Sequence, residues 1–219
     1  MKKAVLLLAG IFFTLSATAQ QKEVTIGNGM STRDVREVPN FDKLEVSGPF
    51  EVRLVSGKTG SVIIEGEKNL TGFITTKVEG NTLSIAPESG RLFKSSNGNK
   101  IIIKVPFDSL SAISLTGSGQ INSKAVIQNN IKLALTGSGS INLEVAAEAV
   151  DAVVTGSGGI TLNGKTSTFN ATVTGSGNVK AQDLAYTSGS VNVTGSGSAV
   201  LRNNEVIKNS NGMVSIARP

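Results

Sequence analysis

The chain has 219 residues, 39% of them hydrophobic and 4% aromatic, and it contains no cysteine, histidine or tryptophan. Disulfides, thiol nucleophiles, the usual transition-metal ligands and the commonest general base are thereby removed, so no cofactor, metal or catalytic residue is expected. The formal charge of +5 falls to +3 once Lys2 and Lys3 are set aside, leaving 19 basic and 16 acidic residues with no basic cluster and few stacking aromatics; nucleic acid is not an expected partner.

The first segment reads as an address. Lys2 and Lys3 precede an apolar run from Ala4 to Leu15, and Ala17-Thr18-Ala19 fits the small-x-small cleavage rule, so residues 1–19 are expected to be a signal peptide. The apolar run is too short to span a bilayer, and no later run is longer, so the mature chain is expected to lack a transmembrane helix. Residues 20–40 are polar and expected to be a flexible lead-in.

Residues 41–110 are expected to form a β-rich N-terminal subregion. Leu44, Val46, Ser47-Gly48, Val52 and Leu54 in "LEVSGPFEVRL" alternate apolar with polar around a small-residue corner. The runs "SVIIEG", "FITTKVEGNTLSIAP" and "KIIIKVP" read as strands, with a hairpin turn at Gly80-Asn81, and "ESGRLFKSSNGNK" reads as an exposed loop. Eleven of the sixteen acids precede residue 110.

From residue 111 the tetrapeptide TGSG recurs at Thr116, Thr136, Thr155, Thr174 and Thr194, at intervals of 20, 19, 19 and 20 residues. Aliphatic columns keep step with it: Leu115, Leu135, Val154, Val173 and Val193 one residue before, and Ile121, Ile141, Ile160, Val179 and Ala199 five after. Each unit is thus strand, corner, strand and variable return. A β-solenoid and an antiparallel meander both fit this unit; the columns favour the solenoid, because stacking gives every corner the same neighbours. The expected fold is all-β, a right-handed parallel β-helix of about five 19–20-residue coils over 111–219. Asn209 to Gly212 would replace the corner in a C-terminal cap, and 41–219 would form one continuous domain.

The corner residues admit two readings. A phosphate loop needs its glycines to precede a helix, whereas each TGSG precedes a strand. The structural reading assigns Gly117, Gly119, Gly137, Gly139, Gly156, Gly158, Gly175, Gly177, Gly195 and Gly197 as turn glycines that let a strand bend without a Cβ penalty. Glu65 and Glu67, two apart on one strand, form a carboxylate pair that reads as a solvated face rather than an acid/base couple. Tyr186 and Phe169 offer no sugar-stacking platform, and Phe169 is expected in the core.

"FDKLEVSGPFEV", "VEGNTLSIAP" and "IIIKVPFDSLSAISLTGSGQI", followed by serial GSG repeats, resemble the bacterial family described as putative auto-transporter adhesin, head GIN domain. The resemblance covers roughly residues 40–217. It implies an exported β-helical domain, often lipid-anchored, although this chain has no cysteine to acylate. The expectation is a non-enzymatic, adhesin-like binding or scaffold module in the periplasm or at the cell surface. Its partner would be a protein or glycan surface, and self-association through coil edges is open. An envelope-signalling component and a carbohydrate-active β-helix enzyme are the alternatives.

Overall fold

A computed structural model of the chain describes residues 23–89, 91–202, 206–207 and 214–217. The expected signal peptide and the Asn209–Gly212 corner lie outside these residues. The chain starts with β1 (Glu23–Ile26), β2 (Ser31–Glu37), β3 (Lys43–Ser47), β4 (Glu51–Ser56) and β5 (Ser61–Glu67). A single helical turn, α1 (Lys68–Thr71), leads to β6 (Ile74–Glu79), β7 (Thr82–Pro87), β8 (Arg91–Lys94) and β9 (Ile102–Phe107). The repeat region holds β10 (Ala112–Gly117), β11 (Gln120–Ile127), β12 (Ile131–Gly137), β13 (Ser140–Gly156) and β14 (Gly159–Gly175). It continues through β15 (Asn178–Lys180), β16 (Leu184–Ala185), β17 (Ser188–Thr194) and β18 (Ser198–Val200), and β19 (Val206–Ile207) and β20 (Val214–Ala217) follow. The fold is all-β.

The repeat columns are strand registers. Leu115 pairs with Leu135, Leu135 with Val154, Val154 with Val173 and Val173 with Val193, always in parallel. On the other side of the corner Ile121, Ile141, Ile160, Val179 and Ala199 pair in the same manner. Every residue of both columns is buried, because period-two alternation turns one face of each strand inward. Each fully buried Leu, Ile or Val contributes about 1.5–3 kcal/mol of transfer free energy. Phe169 and Tyr186 are also buried, with ring centroids 6.0 Å apart. One hydrophobic cluster runs from Val38 to Leu201.

The incomplete corner at Ser47-Gly48 belongs to the same stack. Leu44 pairs with Ile113, Val46 with Leu115 and Val52 with Ile121, and Gly48 has φ +112°. The layers are not in chain order. β3 lies between β7 and β10, and β4 lies between β9 and β11, so residues 82–107 form the layer outside 43–56. In that outer layer the corner is replaced by the excursion 88–101. Phe50, in the place that Gly119 holds one layer up, packs its ring against Phe93 there, at 6.3 Å.

The sheet as a whole is mixed, not that of a parallel β-helix alone. At the N-terminal end β6 pairs antiparallel with β7, through the Gly80-Asn81 hairpin, and β5 pairs antiparallel with β9 and β2. At the other end β20 and β19 run antiparallel to β17 and β18. These strands cover backbone groups that a bare last layer would leave open. Two further expectations are corrected. Residues 23–40 include two strands rather than a flexible lead-in, β2 pairing with β5 over its whole length. The segment expected as an exposed loop contains β8, which pairs in parallel with β1 and is held to the core through Phe93.

Candidate functional site

The corners come first, because their glycines are the residues that the sequence singles out. Gly117, Gly137, Gly156, Gly175 and Gly195 have φ between +105° and +113°, a region that side-chain-bearing residues avoid. The second glycine of each corner has no such φ and is required for space instead. A Cβ on Gly139 or Gly158 would stand 2.5 Å from the carbonyl oxygen of the glycine one layer back. The corner amides face the same way. Ser138 and Gly139 both donate to Gly117 O, at 3.0 and 2.9 Å, and Ser157 and Gly158 both donate to Gly137 O at 2.9 Å. Ser176 donates to Gly156 O and Gly197 to Gly175 O, each at 2.9 Å. Amides already engaged between layers are not available to cradle an anion, which separates these corners from phosphate loops. The Thr and Ser side chains of the corners point to solvent.

The chemistry-bearing side chains gather at the opposite extreme of the chain, on the outer face of β2, β5, β9 and β4. Arg33 of β2 lies across from Glu65 of β5, with Nε 3.9 Å from the carboxylate. Lys104 of β9 donates to Glu65 Oε1 at 2.7 Å. On β4, Arg53 donates to Glu51 Oε1 at 2.7 Å, and Lys100 Nζ is 3.2 Å from Glu51 Oε2. An open cleft of about 580 Å³ sits beside this network, its lining including Ser31, Arg33, Glu65, Glu67, Asn99 and Lys100.

Glu65 and Glu67 do not act as a pair. The Lys104 hydrogen bond holds the Glu65 carboxyl below the ordinary carboxylate range. Glu67 is 2% exposed and accepts hydrogen bonds from Gly29 N–H, from Ser96 N–H at 2.8 Å and from Ser96 Oγ at 2.8 Å. The Gly29 amide leads in holding its carboxyl low as well. Glu51 is lowered chiefly by Arg53. A proton donor at neutral pH needs a raised pKa, and all three shifts run the other way. Glu67 instead ties the 27–30 loop, the end of β5 and the 96–98 turn together.

Arg36 plays a similar part at the stack end. Its guanidinium donates to Thr71 O at 2.8 Å, to Ile74 O and to Asp34 Oδ2 at 2.9 Å, joining β2 to the start of β6. Sequence reasoning missed Arg33, Arg36, Lys100 and Lys104. The one available signal was the alternation in "STRDVRE", which marks a strand with charges on both faces.

Among the described residues, no helix is long and apolar enough to cross a membrane. No protein of curated function matches the chain. Among solved structures, a putative adhesin from Parabacteroides distasonis is 23% identical with a TM-score of 0.59, over 81% of this chain and 84% of that one. A putative lipid binding protein from the same species is 18% identical with a TM-score of 0.58, over 81% and 98%. A putative adhesin from Bacteroides fragilis is 20% identical with a TM-score of 0.54, over 80% and 98%. At these identities the likeness is one of fold. The model of one family matches residues 40–213, nearly the whole of the described chain. The chain belongs to that family, the putative auto-transporter adhesin, head GIN domain.

Proposed function

We propose that the protein is an exported, non-enzymatic β-solenoid that serves as an adhesin-like binding module in the bacterial envelope or at the cell surface. The expected 41–219 domain is extended by β1 and β2, which pair with β8 and β5, and the TGSG units are its stacked coils. The family and the structural neighbours named as adhesins support the role. The parallel registers that link successive corners support the coil reading.

The observation that carries the proposal is the division of labour between the two parts of the chain. In the repeats, corner amides are consumed by stacking and the conspicuous residues are structural. At the N-terminal end, exposed Arg33 and Lys100 flank an open cleft with Ser31, Thr32 and Asn99 as further hydrogen-bonding groups. Guanidinium, ammonium, hydroxyl and amide groups around one concavity suit recognition of an acidic or hydroxyl-rich surface, a glycan or the face of a protein. The neighbouring carboxylates are held ionised, so the site favours binding over proton transfer.

A glycan array and a panel of ester and glycoside substrates test this together. Binding to acidic glycans that drops at least about tenfold in Arg33→Ala/Lys100→Ala is the expected result, as for the loss of charge-assisted hydrogen bonds. Turnover of any substrate that a single substitution abolishes would refute the non-enzymatic reading.

A further inference from the structure

We propose that the small β1/β8 ribbon seats the protein on a membrane surface that carries anionic lipid headgroups. The inference is independent of the cleft described above.

β1 and β8 form a two-stranded sheet of their own, separate from the large one. Their register places Val24 beside Leu92 and Ile26 beside Lys94. Alternation then puts Val24, Ile26, Leu92 and Lys94 on one face and Thr25 and Phe93 on the other. The Phe93 face packs against the core through Phe50. The opposite face is open: Val24 is 52% exposed, Ile26 62% and Leu92 46%, and Met30, just beyond β1, is 60% exposed. Single exposed aliphatics are ordinary, but three on one face of one small sheet form a patch.

Two lysines stand at the patch. Lys94 shares its face and is exposed. Lys68 is exposed, and its amide donates to Met30 O at 2.8 Å. Two acids near the ribbon are engaged elsewhere: Glu67 is buried among its donors, and Glu88 lies 3.3 Å from Arg91. An aliphatic prong with basic residues around it complements an anionic lipid surface.

The backbone decides how deep the ribbon goes. Gly27 N–H donates to Lys94 O, so alternation turns the Thr25 backbone groups toward β8 and those of Val24 and Ile26 toward the open edge. Asn69 Nδ2 donates to Ile26 O from that side, at 2.8 Å. Open edge groups would be left without partners in hydrocarbon, whereas the interfacial layer supplies water and headgroups. The ribbon therefore lies in that layer, with its aliphatic side chains at the acyl boundary. A globular protein partner fits less well: four-residue strands are roughly 13 Å long, and a stable protein interface needs about 800 Å² per side.

Cosedimentation with vesicles tests the proposal. The chain from residue 20 onward is suitable, because the described buried core lies between Val38 and Leu201. The vesicles are phosphatidylcholine alone and phosphatidylcholine mixed with phosphatidylglycerol, each at low and high salt. The mixed vesicles should bind the protein about tenfold more tightly at low salt, with the advantage shrinking at high salt. Ile26→Ser/Leu92→Ser should weaken binding to the mixed vesicles about tenfold or more while leaving the urea midpoint unchanged. Should that variant misfold, Lys94→Glu alone decides, by a loss on mixed vesicles only. No association with mixed vesicles, equal association of wild type and variants, or self-association in place of vesicle binding would overturn the proposal.

Discussion

The two glycines of each corner differ in why they are glycines, and four alanine substitutions separate the reasons. Gly72 has an ordinary φ of −62° and open space around its Cβ position, so Gly72→Ala should be neutral or stabilising by up to about 1 kcal/mol. Gly60 has φ +135° and equally open space, so Gly60→Ala should show backbone strain alone, about 1–2 kcal/mol. Gly158 has no backbone strain to relieve, but a Cβ there would lie 2.5 Å from Gly139 O and 2.8 Å from Leu135 Cδ2. Overpacking against a backbone that cannot step aside costs about 1–3 kcal/mol, and disturbing the stacked hydrogen bonds adds about 1 kcal/mol, so Gly158→Ala should cost about 2–4 kcal/mol. Gly175 combines both effects: φ is +107°, and the Cβ would meet Gly156 O at 2.7 Å, the oxygen that accepts from Ser176 N–H. About 3–6 kcal/mol is expected for Gly175→Ala. Urea unfolding followed by far-UV circular dichroism gives all four values in one series. A Gly158→Ala midpoint no lower than that of Gly72→Ala would refute the close-stacking argument, and Gly175→Ala matching Gly60→Ala would refute additivity of strain and clash.

Arg36→Ala should destabilise by about 2–3 kcal/mol, since it strips carbonyl partners from the junction of β2 and β6, and hydrogen exchange should rise first around Ile74 to Thr76. Glu67 is held below the ordinary carboxylate pKa, so its contribution is present above that unfolded-state range and lost as pH falls through the folded-state value. The melting temperature of Glu67→Gln should accordingly vary less over acidic pH than that of the wild type, because an amide does not titrate. Lys104→Met should raise the Glu65 pKa in a carboxyl NMR titration yet change stability by less than about 1 kcal/mol, because both side chains keep about a third of their surface in water.

The repeat half was readable because its pattern is local and recurs. Leu115, Leu135, Val154, Val173 and Val193 announce a common depth in the core, and their spacing announces a common register. The same logic extended to Leu44 and Val46 despite Pro49 and Phe50 in the corner. The N-terminal half lacked such a guide. Nothing in the order of segments says that 82–107 should lie outside 43–56, because each edge of β3 accepts any strand with the right alternation. Phe50 is intelligible only once the 88–101 excursion leaves room for it. Arg33, Glu65 and Lys104 meet across three strands far apart in sequence, so no spacing rule could join them. Glu67 reads as one of two acids on a strand, and its donors arise from a loop and a turn whose placement depends on the ribbon.

Antiparallel strands close the layered stack at both extremities, while each interior layer pairs in parallel with the layer on either side of it. Removing or duplicating a unit in the middle leaves both termini chemically unaltered, provided that the join falls between equivalent corner residues. Overall length is thus an adjustable dimension, altered in steps of about 4.8 Å per unit, and a lineage of such proteins can set how far its charged tip stands from its base without redesigning either.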